Sequence, residues 1–284
     1  MSWIHRTGGK KLNLLDKLIT RLDLHDSATG IFVGGAGTGG IGGEARLFCG
    51  LVAAQATMAA LRTVEDDFGL HSLHAYFLRP GRAATDIKFH VTPTKQGRNF
   101  QVRNVSAWQN EELIFQLQAS FQRARDGVHH QDPMPEVLAP EDLPNRDQLR
   151  GRKNWADMPI DVRMATPITA DQALPPEQRV WMRVNGEIPE DPKLHLALVV
   201  YASDRTLLDT AWRPHADKGE SAGASLDHSM WFHKPPRFDE WLLYTMFSPA
   251  ADGARGLAFG AMYDSTGQRI VSVAQEGVLR TRNS

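Results

Sequence analysis

The sequence predicts an α+β protein made of two tandem units, each an antiparallel sheet wrapped around a long buried helix. Three observations predict it. Residues 46–64 have helical character but are apolar on nearly every side, as in a helix covered all round. Strand-like runs then follow one another with no helix between them, as in antiparallel meanders. Finally, the order strand, buried helix, four strands occurs twice along the chain.

The elements follow in order. Over residues 11–22, Leu15, Leu18, Ile19 and Leu22 form one stripe, which predicts a short amphipathic helix. Ile31–Val33 is a short strand. A glycine cluster leads into the apolar helix, and strands are predicted at 73–78, 85–92, 100–108 and 113–121. From 123 to 165 the pattern stops. Pro133, Pro135, Pro140 and Pro144 punctuate a polar stretch, and proline has no backbone donor for helix or sheet. Order returns with the strand Val180–Val184. Asp191-Pro192 then opens a helix, since Asp caps free N–H groups and Pro at the first helical position forfeits nothing. Further strands are predicted at 226–233, 241–247, 257–263 and 270–278. Shifting residues 98–121 by 157 places Arg98 on Arg255, Leu113 on Ile270 and Gln118 on Gln275 without a gap. Only two residues in that stretch are identical, so the repeat is one of pattern. A single helix gripped by a curled sheet describes a hotdog, and two make a double hotdog. The expected domains are an N-terminal hotdog over 1–125, a proline-rich surface linker over 126–165 and a C-terminal hotdog over 166–284.

Composition narrows the function. The 284 residues are 42% hydrophobic and 23% charged, a globular balance. A net charge of −1 excludes a general polyanion footprint, so no nucleic-acid partner is expected. One cysteine, Cys49, permits no intrachain disulfide and suits a reducing compartment. Its neighbours Phe48, Leu51 and Val52 favour a small packed residue over a nucleophile. The longest uncharged apolar-rich run, 47–61, is too short to span a membrane. Neither end of the sequence carries an evident targeting signal. A cytoplasmic protein without membrane insertion is therefore expected.

Several patterns with chemical potential have ordinary readings. Gly35-Ala36-Gly37-Thr38-Gly39-Gly40 matches a dinucleotide fingerprint, but no βαβ unit follows and no acidic residue lies about twenty positions on. A flexible turn into the helix suits it better. The histidines have no metal spacing, and there is no H-E-x-x-H. His228 and His233 flank a strand, where packing or hydrogen bonding is the simpler role. Gln275 shares an apolar face with Val271 and Val273, and a buried amide needs partners. Asp204 follows the apolar run 196–202, and Ser225 precedes the segment Leu226–His233. Taken singly, none of these three specifies a function.

Together they carry a resemblance. His74-Ala75-Tyr76-Phe77-Leu78-Arg79-Pro80-Gly81, Tyr201-Ala202-Ser203-Asp204, Asp227-His228-Ser229-Met230-Trp231-Phe232-His233 and Gln275-Glu276-Gly277-Val278 occur in the order found in type II acyl-CoA thioesterases. The sequence resembles that family over nearly its whole length. The resemblance implies a double hotdog that hydrolyses acyl-CoA to free fatty acid and CoA. It implies three catalytic residues, Asp204, Ser225 and Gln275, holding the nucleophilic water. It implies a homo-oligomer, and no metal or redox cofactor is required. Two departures stand out: Ser225 occupies a position where many members have Thr, and Phe48-Cys49-Gly50-Leu51 replaces the frequent Gly-Gly-Gln helix entry. The motifs assign no substrate-contacting residues. One active site per chain is expected, assembled mainly by the second half, because Gln118 has no evident Asp partner. A hotdog enoyl-thioester hydratase or dehydratase is the alternative enzyme, although its usual D-x-x-x-x-H has no match near Asp204. A non-catalytic acyl-thioester binding module is the other alternative.

Overall fold

The structure, a computed structural model, describes residues 12–36, 46–168, 172–219 and 223–281. The fingerprint positions Gly37 to Gly40 and both ends of the chain lie outside them. The chain divides into two compact units: residues 1–129 with 189–201, and residues 130–188 with 202–284.

The first unit begins with α1 (Leu14–Leu22), β1 (His25–Ala28), β2 (Ile31–Gly34) and α2 (Cys49–Leu61). Four strands follow: β3 (Phe68–Phe77), β4 (Ile87–Gln96), β5 (Phe100–Gln109) and β6 (Glu112–Arg123). A reciprocal capping box starts α1, in which the Asp16 amide donates to Asn13 Oδ1 and the Asn13 amide to Asp16 Oδ2. The strands form an antiparallel sheet in the order β1-β2-β4-β5-β6-β3. Helix α2 packs on β4, β5 and β6, and every residue from Gly50 to Leu61 is buried, as its all-round apolar pattern requires. Phe89, Phe115 and Phe121 are among the largest fully buried side chains.

The second unit contains α3 (Arg146–Leu149), β7 (Ile160–Met164) and β8 (Glu177–Val184). Next in the chain comes α4 (Pro192–Ser203), most of which groups with the first unit. After it come α5 (Leu207–Trp212), β9 (Ala224–Ser225), β10 (Asp227–Phe232), β11 (Leu242–Asp252), β12 (Arg255–Tyr263) and β13 (Arg269–Val278). Asp191 caps α4 as expected, its Oδ1 accepting from the Lys193 amide. The sheet order is β10-β13-β12-β11-β8-β7, with β9 also paired to β13. Thus β8-β11-β12-β13-β10 repeats the order β2-β4-β5-β6-β3, and the duplication is real.

Its register is not the gapless one the sequence suggests. Residues Asn110 and Glu111 alone connect β5 to β6, both at positive φ. The β12–β13 turn runs from Asp264 to Gln268, and Asp264 Oδ1 organises it by accepting from the Thr266 and Gln268 amides. Turns of different length cannot share one offset. Ile114 accepts from the amides of Leu78 and Arg79, and Ile270 accepts in the same way from His233 and Lys234. Ile114 therefore matches Ile270, and the offset of 157 is one residue too long on this strand. A slip of one residue reverses the face. Gln118 lies on the exposed face, bonded to Asn104, while the true counterpart of Gln275 is buried Ala119.

The linker expectation also needs correcting. Residues 130–165 belong to the second unit. The apolar outer face of its sheet, with Trp181, Leu243, Ala261 and Tyr263, needs cover, and Leu143, Met134, Val137 and Ala165 supply it. Extended proline-rich backbone leaves carbonyls for side-chain donors, and Trp181 Nε1 donates to the Leu138 carbonyl at 3.0 Å. Gln131 bridges the β12–β13 turn, donating to the Gly267 carbonyl and accepting from the Arg269 amide. The segment is a strap, and β7 is its sheet-forming end.

Within the first unit, the glycine at the entry to α2 has a steric reason. A methyl at Gly50 would lie 2.6 Å from the Tyr201 carbonyl oxygen and 2.6 Å from the Phe48 ring. The Phe48 and Tyr201 rings meet edge to face at 5.1 Å. Gly50→Ala should therefore destabilise the protein by about 1–3 kcal/mol through overpacking, although alanine is the better helix former. The midpoint of urea unfolding checks this, and a rise in midpoint would refute the steric account.

Candidate active site

Each sequence-predicted residue is placed by local folding in the second unit. Helix α4 stops at Ser203, and residues 204–206 turn the chain into α5. Three side chains hold the carbonyls of that turn and its approach. Tyr244 Oη donates to the Ser203 carbonyl at 3.3 Å, Arg146 Nη2 to the Arg205 carbonyl at 3.4 Å, and Gln178 Nε2 to the Thr206 carbonyl at 2.9 Å. The Arg205 side chain is buried and reaches Asp147 Oδ2 at 3.1 Å. Asp204 is thus presented by a backbone fixed on both sides.

Gln275 comes from β13, which buries alternate residues Val271, Val273, Gln275 and Gly277. Ser225 lies on β9, opposite Gly277. The three meet: Ser225 Oγ donates to Asp204 Oδ1 at 2.9 Å, and Gln275 Nε2 lies 2.7 Å from both Asp204 Oδ1 and Ser225 Oγ. Gln275 is fully buried, while Asp204 and Ser225 are half-buried. The carboxylate is therefore anchored from the core, on a residue that keeps part of its surface exposed. The buried phenol of Tyr244 is pushed well above its ordinary pKa, by burial first and then by the Asp204 charge. It stays a neutral donor.

The positions matching Ser225 and Gln275 in the first unit are apolar. Phe121 pairs with Leu70 as Gly277 pairs with Ser225, so Leu70 and Ala119 stand where the serine and glutamine would be. The asymmetry expected from Gln118 holds, but through different residues.

Among the other flagged residues, His233 bonds Ser272 Oγ at 2.7 Å, and exposed His129 and His130 sit at the start of the strap. Cys49 is the partly exposed first residue of α2, so it is not the buried residue expected. Sequence reasoning missed Tyr244, Arg205 and Asp147. Asp147, between Arg146 and Gln148, and Arg205, between Asp204 and Thr206, have only polar neighbours in sequence, and only the fold shows that they are buried and paired. Asp227 lies beside the site, with its Oδ1 accepting from the Glu276 amide at 2.7 Å. Burial raises its pKa, that hydrogen bond opposes the shift, and the Glu276 charge adds to it.

Comparison with known proteins agrees. Residues 39–122 match the family model described as the acyl-CoA thioesterase N-terminal domain, and residues 152–278 match the one described as acyl-CoA thioesterase. Acyl-coenzyme A thioesterase 8 of Mus musculus is 40% identical over 84% of this chain and 81% of its own. Acyl-CoA thioesterase 2 of Haemophilus influenzae is 38% identical over 84% of this chain and 89% of its own. The crystal structure of an acyl-CoA thioesterase II from Mycobacterium marinum superposes with a TM-score of 0.79 at 38% identity, covering 93% of this chain and 98% of that one. A dehydratase domain from Pseudomonas fluorescens, at 11% identity and a TM-score of 0.55, shares the fold alone. The duplicated sheets, the motifs in their order and these matches together show that the chain belongs to the acyl-CoA thioesterase family, thioester hydrolases of double-hotdog fold.

Proposed function

We propose that this enzyme hydrolyses acyl-CoA to CoA and a free fatty acid, using a water activated by Asp204, Ser225 and Gln275. The observation that carries the residue assignment is their convergence. One carboxylate oxygen of the half-buried Asp204 receives two hydrogen bonds, one from a buried amide and one from a half-buried hydroxyl. Those bonds fix the orientation of the carboxylate.

The chemistry follows from the residue types. The Asp204 carboxylate takes a proton from water as the water oxygen attacks the thioester carbonyl carbon. The tetrahedral intermediate collapses with loss of the CoA thiolate, which recovers the proton from Asp204. Ser225 offers both a donor and an acceptor, so it orients the water while remaining bonded to the carboxylate. No enzyme group becomes acylated, and the lone cysteine takes no part.

Ser225 supplies the test. Ser225→Ala should lower kcat about a hundredfold with little change in KM, as expected for loss of an orienting group. Ser225→Thr should retain activity, because it keeps the hydroxyl. Thiol release from acyl-CoA, measured on variants with unchanged circular dichroism, checks both. Full activity in Ser225→Ala would refute the assignment. The same reading includes a homo-oligomeric cytoplasmic enzyme, checked by light scattering and cell fractionation. No helix among the described residues is long and apolar enough to cross a membrane.

A further inference from the structure

We propose that His228 is a positioning residue, whose Nδ1–H donates to Gln275 Oε1 and so sets which end of that amide faces Asp204. The proposal deepens the reading above and rests on it. Strands β10 and β13 pair Ser229 with Ala274 and Met230 with Val273. By Ser225 the register has slipped by one residue, to Gly277, so Asp227 and His228 both lie across from Gln275, and the His228 and Gln275 side chains are within interaction range. Side chains directly opposite on one face of an antiparallel pair are in contact range. Both residues are fully buried.

Two buried polar atoms remain on this face. Gln275 Oε1 and His228 Nδ1 have no hydrogen bond of good geometry among the described residues. An unsatisfied buried polar atom is costly, and here a potential donor and an acceptor share one cross-strand pair. The other end of the imidazole is already engaged: His228 Nε2 lies 2.8 Å from Ser203 Oγ, itself fully buried. Burial lowers the His228 pKa to about 4, with the Gln275 side chain pulling the other way, so the ring is neutral at pH 7. A neutral imidazole carries one N–H. The Ser203 hydroxyl also lies 3.5 Å from Met230 Sδ, but a thioether is the weaker acceptor; with the hydroxyl donating to Nε2, the ring proton sits on Nδ1, facing Gln275.

The amide orientation matters for catalysis. With Nε2 toward Asp204, Gln275 donates to the carboxylate and to Ser225. The flipped amide would set its carbonyl oxygen against the carboxylate, two acceptors together. A histidine donor behind the amide stabilises only the productive orientation. The line Ser203–His228–Gln275–Asp204 runs from the end of α4 across β10 and β13 to the turn before α5, and it ties the base to the core.

The test has a readout separate from activity. In the full-length protein with 15N-labelled histidine, long-range 1H–15N spectra at pH 7 report which ring nitrogen is protonated. The His228 signal is assigned by its loss in His228→Asn. The expected result is Nδ1 protonated and Nε2 unprotonated, with the Nδ1 resonance shifted in Gln275→Ala. An Nε2-protonated tautomer or an imidazolium overturns the proposal. In thiol-release assays His228→Asn, which keeps a donor at the Nδ1 position, should retain most of kcat. His228→Leu should lose about a hundredfold in kcat with KM unchanged, as misorientation near a reacting group does. Equal loss in both variants, or none in either, also overturns it. The tautomer is read on the unmutated protein, and whichever of His228→Asn and His228→Leu folds assigns the signal. Retained activity in Asp204→Asn alongside the expected tautomer would refute the catalytic reading and leave the hydrogen-bond assignment standing.

Discussion

Asp204→Asn should lower kcat for acyl-CoA hydrolysis by about a thousandfold, within the range lost when a general base is removed. Asparagine is nearly isosteric and keeps an oxygen at Oδ1. It can therefore still accept from Ser225 Oγ and Gln275 Nε2, at 2.9 and 2.7 Å in the parent. The turn itself is held by Tyr244, Arg146 and Gln178 through backbone carbonyls, which this change does not touch. Folding should survive, and KM should change little, because the loss falls on proton transfer and not on binding. Single-turnover thiol release separates the two. A variant that folds and turns over near the parent rate would exclude Asp204 as the base.

Asp147→Ala should have the largest effect on stability, about 3–5 kcal/mol, the usual cost of breaking a buried ion pair from one side. Asp147 is fully buried, and its carboxylate meets Arg205 at 3.1 Å and Arg152 at 2.8 Å. Removing it strands the Arg205 guanidinium, whose side chain is only 4% exposed. The melting temperature should fall by about 10 °C for a chain of this size. Activity should fall too, because Arg205 directly follows Asp204. Replacing both partners, as in Asp147→Leu with Arg205→Met, should recover much of the stability, since an apolar pair carries no stranded charge. Thermal unfolding of the single and double variants checks this. A double variant no more stable than the single one would show that the pair contributes through something other than its charges.

The legible parts of this protein were those with long periodic signals. Helix α2 showed itself because no face of it is polar, and β13 because Val271, Val273 and Gln275 recur at period two. What escaped was short or long-range. Strands β1, β7 and β9 and helix α5 are too brief to carry a period. The strap looked like a linker because proline and charge dominate its sequence, while the apolar sheet face that it covers lies far away in the chain. The repeat was visible, yet its register was not, since two turns of different length leave no mark on hydrophobic pattern. For the site, the motifs named Asp204, Ser225 and Gln275. Their distances, and the histidine behind the glutamine, needed the cross-strand register of β10 and β13.

The chain's division has a consequence for synthesis. The first compact unit draws on residues 189–201, beyond the stretch 130–188 that belongs to the other unit. A ribosome that has released residue 129 has therefore not yet supplied everything this unit packs. At usual elongation rates the missing helix emerges about 4–14 s later. During that interval Phe48 and the Gly50 face of α2 wait on the nascent chain without Tyr201, their partner in the finished unit.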